Sequence, residues 1–309
     1  MKYKYLVFAL FFASGISGLM YEVVWLRMLT RITGVTIHAT ATVLAAFMAG
    51  LALGSFILGN YVDRRRDALR LYAQLEFFVA VSALLVPVLL AASVPVYRYV
   101  YQLSGEAVLT SAMARGAISF VFLLIPTTIM GGTLPVLTSC LVRRDFLFGR
   151  NFSILYGLNT LGAVLGVVLS GFVTIGTFGE WATIYIGVAI NMVVAAIAYS
   201  VYVMDRKIRE VPVTDKHTSD IRTKTISPYT DGVRTVVLVA FCISGFTALA
   251  YEVIWTRQLI LFLMTSIYAF SGMLAIFLTG IALGSLSMTR MADRRLVSCS
   301  ASGPHYYGS

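Results

Sequence analysis

Two glutamates lie where the surrounding sequence is almost entirely apolar. Glu22 falls in "SGLMYEVVWLR" (17–27) and Glu252 in "TALAYEVIWTR" (247–257), 230 residues further on. From Tyr5 to Leu26, Glu22 is the only residue expected to be charged at neutral pH. A carboxylate near the middle of a membrane span costs on the order of a few kcal/mol, so its presence points to a contact or a chemistry. On a helix, Ser14, Gly15, Gly18, Glu22 and Trp25 share one face through spacings of three and four. The second copy repeats the stripe as Ser244, Gly245, Ala248, Glu252 and Trp255. Small residues allow close approach, so the stripe is expected to face a neighbouring helix. Two readings stay open: a carboxylate that binds a cation or carries a proton, and an ion pair with an arginine such as Arg27 or Arg115. A helix starting at Lys4 and rising ~1.5 Å per residue sets Glu22 roughly 27 Å along, near the far end of the hydrocarbon.

Other polar positions invite the same weighing. Glu76, in "LRLYAQLEFF", is a candidate ion site about two turns into a helix, and the arginines of the preceding loop are within its reach for pairing. Asn159 opens a stripe with Gly162, Gly166 and Ser170, a pattern suited to helix–helix contact as well as to a ligand. In "PTTIMGGTLPVL" (126–137), Pro126, Gly131, Gly132 and Pro135 weaken the helical ladder. Such a break either bends the bundle or frees backbone groups for a solute. Gly50–Gly54 and Gly280–Gly284 read as packing pairs. The three cysteines and three histidines are scattered, so neither a disulfide framework nor a metal site is expected.

The elements that must hold these residues are membrane spans. The chain is 59% apolar and 12% charged, with a mean hydropathy of +0.84, too apolar for a wettable soluble surface. Apolar runs near 5–26, 36–59, 69–93, 114–139, 151–176, 181–204, 236–258 and 266–289 predict eight helices and an all-α polytopic membrane protein. The first run is too long for a signal peptide and recurs mid-chain, so it reads as a retained helix. With the N-terminus inside, 19 of the 24 Lys and Arg fall on inner segments, and Arg27, Arg31, Arg98, Arg115 and Arg257 remain outside. That asymmetry predicts a multi-pass protein of the cell (inner) membrane with a cytoplasmic N-terminus. It also accounts for the net charge of +10 without a nucleic-acid partner.

Residues 14–65 align with 244–295 without a gap, with 22 identities in 52 positions. The copies start helices of the same orientation, which predicts a parallel repeat of six-helix units. The expected organisation is a first transmembrane unit at 1–204, a polar linker at 205–235, two helices of a second unit at 236–295, and an atypical tail at 296–309 that reads as the end of a fragment.

"SGLMYEVVWLR", "VLAAFMAGLALGS", "PTTIMGGTLPVL" and "LYGLNTLGAVLG" together resemble the membrane part of the fused major-facilitator/spermidine-synthase-like proteins. The likeness covers nearly all of 5–295. It implies a major-facilitator-like six-helix bundle followed by the start of a second. "GNYVDRRRDALR" looks like that superfamily's loop between helices two and three, with Gly59, Asp63 and Arg64 as gate candidates. The later glycine of that signature is missing, and the second copy keeps Asp293 and Arg294 but has Thr289 for Gly59. The resemblance implies a soluble aminopropyltransferase-like domain using decarboxylated S-adenosylmethionine. No such domain is read in these 309 residues, and neither a catalytic constellation nor a cofactor is expected. Two functions follow as expectations. One is a transporter-like module in the lipid bilayer, moving a polyamine or other small cationic solute. The other is a membrane anchor for a spermidine synthase-like domain; a second copy is a further partner that would complete the bundle.

Overall fold

The computed structural model describes residues 3–62, 67–103, 108–142, 148–209 and 231–301. Among these there is no strand. The helices are α1 (Lys4–Thr33), α2 (Thr36–Val62), α3 (Ala68–Ala92), α4 (Val94–Leu103), α5 (Val108–Gly131), α6 (Thr133–Val142), α7 (Phe148–Val168), α8 (Ile175–Arg209), α9 (Asp231–Leu263) and α10 (Ser266–Ala301). A π-helical turn, Leu169–Thr174, joins α7 to α8.

Seven helical stretches among the described residues are long and apolar enough to cross a membrane, as expected of a multi-pass membrane protein. One of them, Phe152–Asp205, has 54 residues, far more than a crossing of about 20 requires. It doubles back. Gly179, at φ 84° and ψ 178°, occupies a region essentially closed to residues with a Cβ. Thr183 donates to Thr174 Oγ1 at 3.0 Å, although nine residues of continuous helix would separate them by ~13 Å. The stretch therefore supplies two antiparallel rods, with the second beginning at Glu180.

The helix ends depart from the apolar runs. α1 continues to Thr33, seven residues beyond the predicted limit at Leu26, and stops at Gly34. There φ is 73°, and the Gly34 N–H bonds the Thr30 carbonyl at 2.9 Å, a left-handed cap. The repeat reproduces this turn without glycine. Met264 holds φ 56° and donates to the Ile260 carbonyl at 2.9 Å. The predicted linker is also shorter at both ends, since α8 reaches Arg209 and α9 starts at Asp231. α10 runs through Ala301, six residues into the predicted tail.

Glycine seams set the packing. α1 lies along α7, where Gly15 abuts the Asn159 backbone and amide, Gly162 the Phe12 carbonyl, and Gly166 the Ile16 carbonyl. α2 lies along α5 through Gly50 against Thr127 and Gly54 against the Thr128 carbonyl. α10 crosses α7 and the π turn, with Ser285 donating to the Ser153 carbonyl at 3.0 Å and Phe172 stacked on Tyr268 at 5.5 Å. Gly280 and Gly284 depart from the expected packing role, because nothing lies within contact distance of either. Their counterparts Gly50 and Gly54 are covered by α5, and no described helix takes that position against α10.

Candidate functional site

α1 carries both halves of the buried polar chemistry. Ser14, Tyr21 and Glu22 all point into the bundle, and Tyr21 and Trp25 are fully buried and stacked at 5.6 Å. α1 continues well past Glu22, which lies 11 residues before Thr33, ~16 Å from that end of the rod. Glu252 likewise lies 11 residues before Leu263, the end of α9.

The first cluster centres on Glu76, which is fully buried. Ser14 Oγ donates to its Oε1 at 2.6 Å, and Asn191 Nδ2 donates to its Oε2 at 2.5 Å. Tyr21 Oη donates to Asn191 Oδ1 at 2.9 Å, which fixes the amide's orientation. The buried Tyr72 hydroxyl interacts electrostatically with the same carboxylate but does not meet hydrogen-bond geometry. Glu76 thus joins α1, α3 and the second rod of α8. It lies eight residues into α3 and Asn191 twelve residues past Gly179, roughly 12 and 18 Å along their rods. Among the described residues the hydrogen-bond partners of Glu76 are the neutral Ser14 and Asn191, and Arg64, Arg65 and Arg66 of the preceding loop lie outside the described residues.

The second cluster pairs the repeats. Glu22 and Glu252 are both 3% exposed and lie within electrostatic range of each other. In α9, Glu252 and Thr256 are the only buried side chains among those described, while Val237, Phe241, Phe246 and Ile254 face outward. The helix therefore presents its polar pair to the bundle and its apolar side to the surroundings. Glu252 Oε1, Thr256 Oγ1 and Trp25 Nε1 are buried without a hydrogen-bond partner. The expected ion pair between Glu22 and Arg27 does not form. Arg27 Nε sits 3.0 Å from Glu180 Oε1, and Arg31 bonds the other oxygen of Glu180. Arg115 does not reach Glu22 either; it lines a cavity near the Gly34 end of the bundle.

The remaining candidates that are described lie at helix–helix contacts. Asn159 is seated against Gly15. The Pro126–Pro135 break divides one predicted span into α5 and α6, and α2 fills the gap. Gly131 abuts Leu51, Gly132 abuts the Leu58 side chain, and Ser55 caps the Gly131 carbonyl at 2.9 Å. Of the gate candidates, Gly59 lies beside Pro135. Asp63 and Arg64 lie outside the described residues, and Asp293 and Arg294 fall in the last turns of α10, outside the described side chains. Asn191, Tyr72, Glu180 and Thr256 were not singled out from the sequence. Asn191 and Glu180 each carried a signal, a lone amide and a lone carboxylate at or inside the apolar run 181–204.

No protein-family model, curated protein or solved structure matches the chain. The chemistry is therefore argued from the geometry. Burying one carboxylate without a cationic partner is costly, and burying two within range of each other costs more. Among the described residues no cationic side chain pairs with Glu22 or Glu252, and no three metal-ligating side chains converge. A mobile cation or protons would compensate such a pair.

Proposed function

We propose that the chain is a transporter-like membrane module in which Glu22 and Glu252, one from each repeat, receive a small cationic solute or its coupling protons. The observation that carries this reading is the orientation of α9, whose only buried side chains among those described are the carboxylate and hydroxyl of Glu252 and Thr256. A helix serving only as an anchor has no need to turn its polar pair inward and leave a carboxylate oxygen without a partner. The Glu76–Asn191 network would brace the first repeat beside that pair. The motif resemblance to the fused major-facilitator/spermidine-synthase-like proteins makes a polyamine the first candidate solute. The distribution of Lys and Arg supports an inner-membrane location with the N-terminus in the cytoplasm.

The test is uptake of radiolabelled spermidine into proteoliposomes holding the full chain. E22Q and E252Q should each abolish uptake while the protein still inserts and elutes as wild type. Uptake that is unchanged in both variants removes the reading. No uptake by the wild type, with lowered stability in the Gln variants, would favour the alternative of a membrane anchor for a spermidine synthase-like domain.

A further inference from the structure

At the Gly34 end of the bundle the charges reverse sign. A cavity of about 610 Å³ opens between the ends of α1, α3, α4 and α5 and the start of the second rod of α8. Arg31, Arg98 and Arg115 line it, and its walls are otherwise largely apolar, including Met28, Ile32 and Leu90. Only one acidic side chain among the described residues meets these arginines. It is Glu180, held already by Arg27 and Arg31. Arg98 is exposed, and Arg115 keeps a buried Nε with no hydrogen-bond partner. The wall bearing Arg98 is fixed, because neighbouring Tyr97 is buried and its hydroxyl lies 3.0 Å from Ser119 Oγ of α5. A second, smaller cavity of about 100 Å³ meets the first at Tyr101 and Arg115, which places that guanidinium between two open volumes.

Guanidinium groups are planar forks of donors matched to carboxylate and phosphate oxygens. Here they stand over apolar walls at one end of a bundle, a combination that suits an anionic head carried on an apolar body. We propose that this cavity binds an amphiphilic oxyanion, a phosphate or carboxylate attached to a hydrocarbon group, with Arg98 and Arg115 as the anion contacts. This site is separate from the carboxylate pair of Glu22 and Glu252 and of opposite charge. The ligand would come either from an anionic phospholipid of the bilayer or from a free amphiphile.

The probe is octyl phosphate, titrated calorimetrically into the full chain in phosphatidylcholine nanodiscs. Wild type should bind it. R98Q and R115Q should each weaken binding roughly tenfold or more, the loss of a charge-assisted hydrogen bond. R115K should retain part of the affinity and serves as the folded reference if R115Q fails to assemble. R257Q, which removes an exposed arginine of α9 away from the cavity, should bind as wild type. Repeating the titration in discs containing phosphatidylglycerol separates the sources. Loss of octyl phosphate binding there identifies a lipid headgroup, and retention identifies a free anion; either supports the site. Absence of binding in phosphatidylcholine discs would overturn the proposal, as would equal affinity across wild type, R98Q and R115Q.

Discussion

Replacing Asn191 with leucine removes a residue that serves two others at once. It withdraws the donor to Glu76 Oε2 and the acceptor for the Tyr21 hydroxyl, both fully buried. Two magnitudes compete. Hydrogen bonds between membrane helices average about 0.6 kcal/mol and reach about 1.7. A bond to a charged group is worth about 1.5–3 kcal/mol, and a stranded buried polar group costs about 1–3 kcal/mol more. Asn191→Leu combines one bond to a carboxylate with one neutral bond and leaves the Tyr21 hydroxyl stranded. The expected destabilisation is about 2–4 kcal/mol, above the membrane average because a carboxylate is involved. Glu76→Gln should cost less than about 1 kcal/mol, and the reason is geometric. In that variant the new side-chain oxygen can keep accepting from Asn191, and the new NH₂ can donate to the Ser14 hydroxyl oxygen. The Asn191 amide then stays as it is and still accepts from Tyr21. Each contact in the chain keeps a donor and an acceptor. Steric-trapping measurements of unfolding in lipid micelles would give both values, with chymotryptic fingerprints to confirm insertion. If Asn191→Leu falls within about 0.5 kcal/mol of wild type, or Glu76→Gln proves the costlier change, the network is not what joins α1, α3 and the second rod of α8.

The same measurement separates the two glycine pairs: Gly54→Ala should cost about 1–3 kcal/mol by driving a methyl into the Thr128 carbonyl, whereas Gly284→Ala, with nothing in contact, should stay within about 0.5 kcal/mol. Met264→Gly should stabilise by about 1 kcal/mol, because the side chain is 85% exposed and its removal relieves a left-handed conformation without losing packing. Gly34→Met, the reciprocal change at the same turn of α1, should cost a similar amount, read as a fall in the unfolding midpoint.

The all-helical, span-forming character of the chain and the burial of Glu22 and Glu252 were legible because each is written in local pattern. Apolar length marks a crossing, and in α1 the stripe of small residues marks a contact face, whereas in α9 Ser244, Gly245 and Trp255 of the corresponding stripe are exposed. What the sequence hid is non-local or unrelated to lipid transfer. Hydropathy ends α1 at Leu26 because polar residues follow, yet the backbone ladder continues until Gly34 turns it. The pairing of Arg27 with Glu180 spans 153 positions and depends on the reversal at Gly179 bringing that carboxylate beside α1. A lone Asn191 has no periodicity, so only the fold shows that it faces Glu76. The repeat also misleads in one respect. Tyr21 and Trp25 are 0% exposed, but Tyr251 and Trp255 are 55% and 58% exposed. Identical residues on equivalent helices acquire different surroundings because α1 is flanked by α2, α3, α7 and α8, whereas α9 lies mainly against α10.

The π turn between α7 and α8 has a consequence for the chain's tolerance of length change. A π turn holds one residue more than the α turn it replaces. Leu169–Thr174 is thus a place where one residue can be deleted and a regular ladder recovered, whereas a deletion within α1 would shift the phase of its inward face. The recovered ladder would keep roughly its phase beyond the cut, because the surplus residue is taken up in one wider turn. Thr174 would stay beside Thr183, while the wall that meets α10, where Ser271 is seated against Gly171, would narrow. That single surplus residue therefore widens the rod where α10 crosses it without turning the rod that follows.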